Sequence, residues 1–295
     1  MSGWSSIDLS ALPAPDVVEQ LDYEDILAAM LADLQARDDT FSALLESEPA
    51  YKILEVAAYR EMLLRQRCND ACQAVMVAYS GGGDLDQLAA LVPLARRVID
   101  PGDPDADPPV DPTYESDVEF RARVQLAPEA FSSAGPDGAY RHHALTVAAV
   151  LDAVAVSPSP GCVSVYVLAR DGNGEPDAAT LEAVDAAVSA RDVRPLTDQV
   201  TVLAAEIVAY AVTAVLHIES GPDAAVVAAA ARKALDAYVE TRRGLGVRVP
   251  VSGLYAALHV EGVARVELTA PAADVAAAVH QATWCEAVDL TTEEA

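Results

Sequence analysis

Residues 194–219, RPLTDQVTVLAAEIVAYAVTAVLHIE, decide how this chain folds. Val200, Val202, Ile207, Val208, Tyr210, Val212, Val215 and Ile218 succeed one another with few charges between them. β-Branched and aromatic side chains at this density fit a pleated, buried surface better than a helix. Glu206 interrupts the run, which predicts two strands back to back or one long bent strand. Helix-like segments flank it at 178–190 and 223–243, and strand-rich sequence returns at 162–169 and 263–269. The stretch therefore reads as a seam between two strand-helix-strand units, supplying the inner edge of each. It carries no catalytic constellation.

Working downstream, Gly221, Pro222 and Asp223 start the helix at 224–243, which Gly244 and Gly246 end. A short helix is predicted over 251–260, and the tail shows two weak strand-like patches at 275–279 and 285–290. Upstream, residues 157–161, SPSPG, mark a turn between strands at 154–156 and 162–169. Before it the pattern reads as a helix from 119 that Pro128 ends, a turn at 135–138 and a second helix over 139–150. The strand-helix-strand pattern occurs twice, too loosely to establish a duplication.

Residues 100–117, DPGDPDADPPVDPTYESD, form the clearest linker: proline removes backbone donors and like charges repel, which disfavours helix and strand alike. Asp103, Asp105 and Asp107 alternate as at the start of a calcium loop, but the glycine and final acid of that loop are missing. N-terminal to the linker the chain is helical. After an irregular arm over 1–20, a helix begins at Asp22, and a longer one runs from Pro49 to about residue 79. Ile53, Ala57, Leu64, Ala71 and Val75 belong to a heptad-like stripe on the long helix, interrupted by Arg60 and Arg67. Those five residues are the candidate interface. Either the stripe meets a partner helix, or the helical pair packs on the rest of the chain. Ser80 to Gly83 read as a cap and hinge; no lysine follows and no strand precedes, so a phosphate loop does not fit.

Composition narrows the function. At 295 residues the chain can hold about two domains. The net charge is −27, with 23 acids against 7 bases through Asp117 and 23 against 12 beyond it. Such a surface repels phosphate, so nucleic acid and anionic membranes are not expected partners. No apolar run approaches the length of a membrane span and no secretory signal is read at the start, so a reducing cytoplasm with free thiols is expected. Cys68 and Cys72 share a helix face without a second ligand pair, His142 and His143 point to different faces, and His217 sits in the most apolar strand. None of these arrangements predicts a metal, a cofactor or a catalytic residue.

Four segments carry a resemblance. They are DVEFRARVQLAPEAFSSAGPDGAYRHHAL (117–145), SPSPGCVSVYVLARDGNG (157–174), DVRPLTDQVTVLAAEIVAYAVTAVLHIESGPD (192–223) and LGVRVPVSGLYAALHVEGVARVELTAP (245–271). In this order and spacing they resemble the baseplate J-like family of contractile phage tails and related tailocins. The resemblance implies a structural, non-enzymatic wedge component without cofactors, sited in the virion tail baseplate and assembled in the host cytoplasm. It implies contacts with copies of itself (a dimer within a wedge, a ring overall), with other wedge subunits through the N-terminal helices, and with nearby hub and sheath-initiating proteins. Coupling of baseplate change to sheath contraction follows from the same likeness.

The expected fold is α+β, a helical N-terminal part followed by two small α/β units in a C-terminal body. Its divisions are a helical wedge or bundle domain (1–99), the linker (100–117), helices with the first α/β unit (118–193), the seam with the second (194–271) and a tail (272–295). Two alternatives stand beside the structural role: an α/β ligand-binding or hydrolase module, and the equivalent subunit of a non-phage contractile injection system.

Overall fold

A computed structural model describes residues 7, 9, 12–13, 15–42, 44–132, 135–191, 193–221 and 223–294. Pro222, expected to open a helix, and residues 1–6 of the arm lie outside them. The fold is α+β, and its chain divides into two units. One takes the described residues up to Arg96 and returns for Glu115–Gln125; the other comprises Arg97–Tyr114 and the described residues from Leu126 onward.

The larger unit is built on the seam. β3 (Val150–Ser159) and β4 (Cys162–Ala169) form the expected hairpin, turning at Gly161, whose φ of +78° suits a residue without a side chain. β5 (Gln199–Ala204) joins β4 in parallel, giving a sheet ordered β3-β4-β5. The connection from β4 to β5 runs through α6 (Ala178–Val188), whose first turn is capped by the Asp177 carboxylate accepting from Thr180 N at 2.7 Å. α5 (Asp137–Ala144) and α6 lay Tyr140, Ala144, Val184 and Val188 over Ala153, Val165 and Val167, an Ala- and Val-rich core.

One residue later the chain starts β6 (Glu206–Ile218), the central strand of a second sheet ordered β7-β6-β8. β7 (Val263–Ala270) runs antiparallel to it and β8 (Gln281–Glu294) parallel. α7 (Ala224–Thr241) and α8 (Val251–Leu258) cover one face, where Val227, Ala231, Leu235, Leu254 and Leu258 meet Val212, Ala214, Leu216 and Ile218. Asp223 caps α7 through Ala225 N.

The seam is thus two strands in two sheets, separated only by Ala205. That residue is buried with Leu168 and Ala282 and donates its N–H to Val167 O at 2.9 Å. Three expectations change here. β6 is central in its sheet and does not form an edge, because β8 adds along its whole length. The tail is one long strand and not two patches; residues near 275 contribute only a bridge from Val275 to Val249. The two strand-helix-strand units also differ, since β4 and β5 are parallel whereas β6 and β7 are antiparallel.

The helix expected over 139–150 ends at Ala144. The buried Arg97 guanidinium, within the same unit, donates to Leu145 O at 2.9 Å and Val150 O at 3.2 Å. Carbonyls held by a fixed cation need no further helical turn, and the chain leaves for β3. Residues 100–117 are also less irregular than their prolines suggest. β1 (Val98–Asp100) pairs with β2 (Thr113–Tyr114), and Asp103 bridges Val110 inside them.

The smaller unit is helical. α1 (Tyr23–Arg37) begins on the Asp22 carboxylate, which accepts from Glu24 N and Asp25 N. α2 (Pro49–Ala74) follows, then α3 (Gly82–Ala89), and α4 (Asp117–Leu126) starts where the chain re-enters this unit. α2 stops about a turn earlier than its pattern predicts. Arg121 takes Val77 O at 2.7 Å and Ser80 O at 2.6 Å, fixing a turn where the stripe would have continued. Of the glycines read as a hinge, Gly81 is the N-cap of α3 and Gly82 and Gly83 lie inside its first turn, where the Asp117 carboxylate accepts from Gly82 N at 3.1 Å. That bond and the Arg96 guanidinium lower the Asp117 pKa. Around Phe120, Arg96 stacks 4.7 Å from the ring centroid, and Arg123 pairs with the fully buried Glu115 carboxylate.

Candidate functional site

Helix α2 spans 26 residues, about 39 Å at 1.5 Å per residue. Pro49 opens it because a first-turn residue needs no amide donor. Its inner face packs on α1: Leu54, Ala58 and Met62 meet Ile26, Leu27, Met30 and Leu31. Lower down, Asn69 is 5% exposed and its carboxamide forms two bonds with one residue of the arm. Nδ2 donates to Glu19 O at 2.9 Å, and Oδ1 accepts from Glu19 N at 3.0 Å. These contacts use up one side of α2.

The other side is apolar and faces outward. Ile53 is 68% exposed and Leu64 66%, with Val56, Tyr59 and Leu63 also exposed along the same helix. Of the five candidate interface residues, Ile53, Leu64 and Ala71 lie exposed on α2, Ala57 is half-buried, and Val75 lies just past the last helical residue at 69% exposure. Residues at i, i+4, i+11 and i+18 fall on one side of a helix, so Ile53, Ala57, Leu64 and Ala71 form a single ridge. Burying a leucine or isoleucine side chain stabilises by roughly 1.5–3 kcal/mol, so this ridge holds appreciable unspent association energy.

The residues weighed for chemistry are dispersed. His142 and His143 make an edge-on ring contact at 5.3 Å between centroids. His217 Nε2 lies 2.8 Å from Arg265 Nη2, with Glu267 and Glu293 carboxylates beyond at 3.6 Å and 3.9 Å. Cys68, Cys72, Cys162 and Cys285 are free thiols. Burial raises the Cys285 thiol pKa, and burial followed by contact with Cys285 raises that of Tyr210. Among the described residues no group of three or more His, Cys, Asp or Glu side chains converges to hold a metal. A hollow of about 420 Å³ lies between Leu12, Pro13, Pro15 of the arm and Met76, Val77, Tyr79, and it is almost wholly apolar.

Sequence reasoning missed the arginines Arg96, Arg97, Arg121 and Arg123. Each looks like a solvated charge in its local context, yet each works by taking backbone carbonyls or carboxylates brought in by the fold. The only local sign is their clustering, as RR at 96–97 and RAR at 121–123 in an acidic chain.

Comparison with known proteins completes the description. The family model for the Baseplate J-like N-terminal domain matches residues 46–103, that for the Baseplate J-like central domain 132–204, and that for the Baseplate J-like protein C-terminal domain 210–291. Baseplate protein J of Escherichia phage P2 is similar over 294 residues at 45% identity, covering 97% of each chain.

Proposed function

The chain belongs to the baseplate J-like family, and from that membership we propose that it is a structural wedge component of a contractile tail baseplate. Its work is to hold neighbours, and it transforms no substrate. The larger unit contacts its own copies and adjacent wedges to build a ring around the hub. The helical unit joins other wedge subunits through Ile53, Ala57, Leu64, Ala71 and Val75. A change in the ring is passed on to the sheath-initiating proteins and starts contraction. Assembly takes place in the host cytoplasm.

The observation that carries this reading is the full-length likeness to a named baseplate protein, with all three family domains in order. The exposed ridge of α2 adds a physical means, since a soluble helix gains nothing by presenting leucine to water. The test is the double variant Leu64→Asp and Ala71→Asp, expressed in full length together with the neighbouring tail genes. Both sites are exposed, so folding is expected to change little. In the assembly, lost apolar burial and two stranded carboxylates together cost more than about 3 kcal/mol, enough to abolish co-purification with wedge partners. Undiminished co-purification would refute the role given to this face.

A further inference from the structure

The larger unit holds two complete cores. One lies between β3-β4-β5 and its helices, with Val150, Val165 and Val184 fully buried; the other lies between β7-β6-β8 and its helices, with Val212, Leu235 and Leu254 fully buried. The apolar cluster where the two sheets meet is far smaller: Leu168, Ala205 and Ala282 are buried there, edged by Leu151, Ile207 and Leu245. The family models divide at the same place, one ending at residue 204 and the next starting at 210.

Polar contacts complete this joint. Arg243, just past the last residue of α7, reaches the turn after β4, where its Nη2 donates to Arg170 O at 2.7 Å and Gly172 O at 2.9 Å. Its guanidinium lies 5.1 Å from the ring centroid of Trp284 in β8. Two residues on, Leu245 N donates to Asp152 Oδ2 at 3.1 Å, while Arg141 holds the other oxygen of that carboxylate at 2.9 Å. His280 sits 5.2 Å from the Tyr166 ring and 3.6 Å from the Glu206 carboxylate. Water can replace each of these bonds, and a small polar interface between two self-sufficient cores leaves them free to move. The Arg243 side chain is only 14% exposed, and its Nε has no hydrogen-bond partner among the described residues. Closure therefore strands one buried donor that opening would hydrate.

We propose that the two sheets rock against one another about Ala205, and that Arg243 is the clasp holding them in the closed arrangement. In the open arrangement both cores and the covalent ribbon between them persist, and only the contacts of the joint are exchanged for water. This motion is a property of the isolated chain and stands apart from the assembly reading above.

Two amides cross the joint and report its opening: Ala205 N, donated to Val167 O, and Leu245 N, donated to Asp152. Native-state hydrogen exchange on the unaltered full-length chain, at rising urea, is expected to show both opening with a weaker urea dependence than the β3-β4 and β6-β8 ladders. In Arg243→Ala these two amides are expected to exchange about tenfold faster with the ladders unchanged, and Arg243→Lys, which keeps the charge without the fork, should fall between. Acrylamide quenching of Trp284, in a Trp4→Phe background, should rise in the same order. Joint amides that share the urea dependence of the ladders in the unaltered chain would make the two sheets one rigid body and overturn the proposal. Exchange and quenching unmoved by Arg243→Ala would remove the clasp. Ladders accelerated as much as the joint would show that Arg243 stabilises the whole unit, which also overturns it.

Discussion

Replacing Asn69 by alanine tests whether the arm is fastened to the long helix by one carboxamide. The side chain is nearly fully buried and makes two hydrogen bonds to the backbone of Glu19, 50 residues away. A net hydrogen bond contributes about 1 kcal/mol, and a buried group left unpaired costs more. Glu19 itself is exposed, so its freed N–H and C=O can turn to water, which keeps the cost close to that of the two bonds, about 2 kcal/mol. Opening of the arm should then be about thirtyfold more frequent. Asn69→Asp is predicted to be worse than alanine: it retains an acceptor for Glu19 N but places a carboxylate against Glu19 O, buried and unpaired. Amide hydrogen exchange at Glu19 reads this directly, with urea unfolding of the same variants as the global measure. Unchanged exchange at Glu19 in Asn69→Ala, or an aspartate variant no worse than the alanine one, would refute the reasoning.

Two further outcomes follow from polar groups described above. Asp117 has a pKa lowered by the Gly82 amide and then by Arg96, so its contribution is complete above the ordinary carboxylate range and is lost as pH falls through its depressed value. Asp117→Asn should therefore be less stable than the parent by about 0.5–1 kcal/mol at pH 7, a modest cost because the group is partly exposed, and the gap should narrow in urea titrations as pH falls below the ordinary carboxylate range. A gap that persists at low pH would count against the charge. The Tyr238 hydroxyl is buried without a hydrogen-bond partner among the described residues, so Tyr238→Phe should raise the melting temperature, by an amount corresponding to about 1 kcal/mol; a lower Tm would show that the hydroxyl is satisfied.

Much of the larger unit is legible because its strands carry their own pattern. Val200, Val202, Val212 and Val215 are β-branched in any context, and the prolines and glycine of 157–161 mark a turn without help from elsewhere. β8 was not legible. Its residues WCEAVDLTTEE are half acid and threonine, and they form a strand because β6 offers thirteen consecutive partners from Glu206 to Ile218. The ends of α2 and α5 escaped for a related reason: arginines 44 and 48 residues away take the carbonyls at each end, and no local periodicity records that. The ridge of α2 could be read from spacing, but which of its sides would stay bare could not, because α1 and Asn69 decide it.

The single residue between β5 and β6 has a mechanical meaning. Residues 199–218 form an extended ribbon about 65 Å in contour, with no loop along it to take up slack. Tension entering at the end of β6 therefore reaches β5 undamped. The rungs to β8 lie across that pull and share it in shear, so they must give way together rather than peel apart one by one. Chain connectivity thus makes the two sheets a tie rod, and a few added residues at Ala205 would turn it into a slack tether.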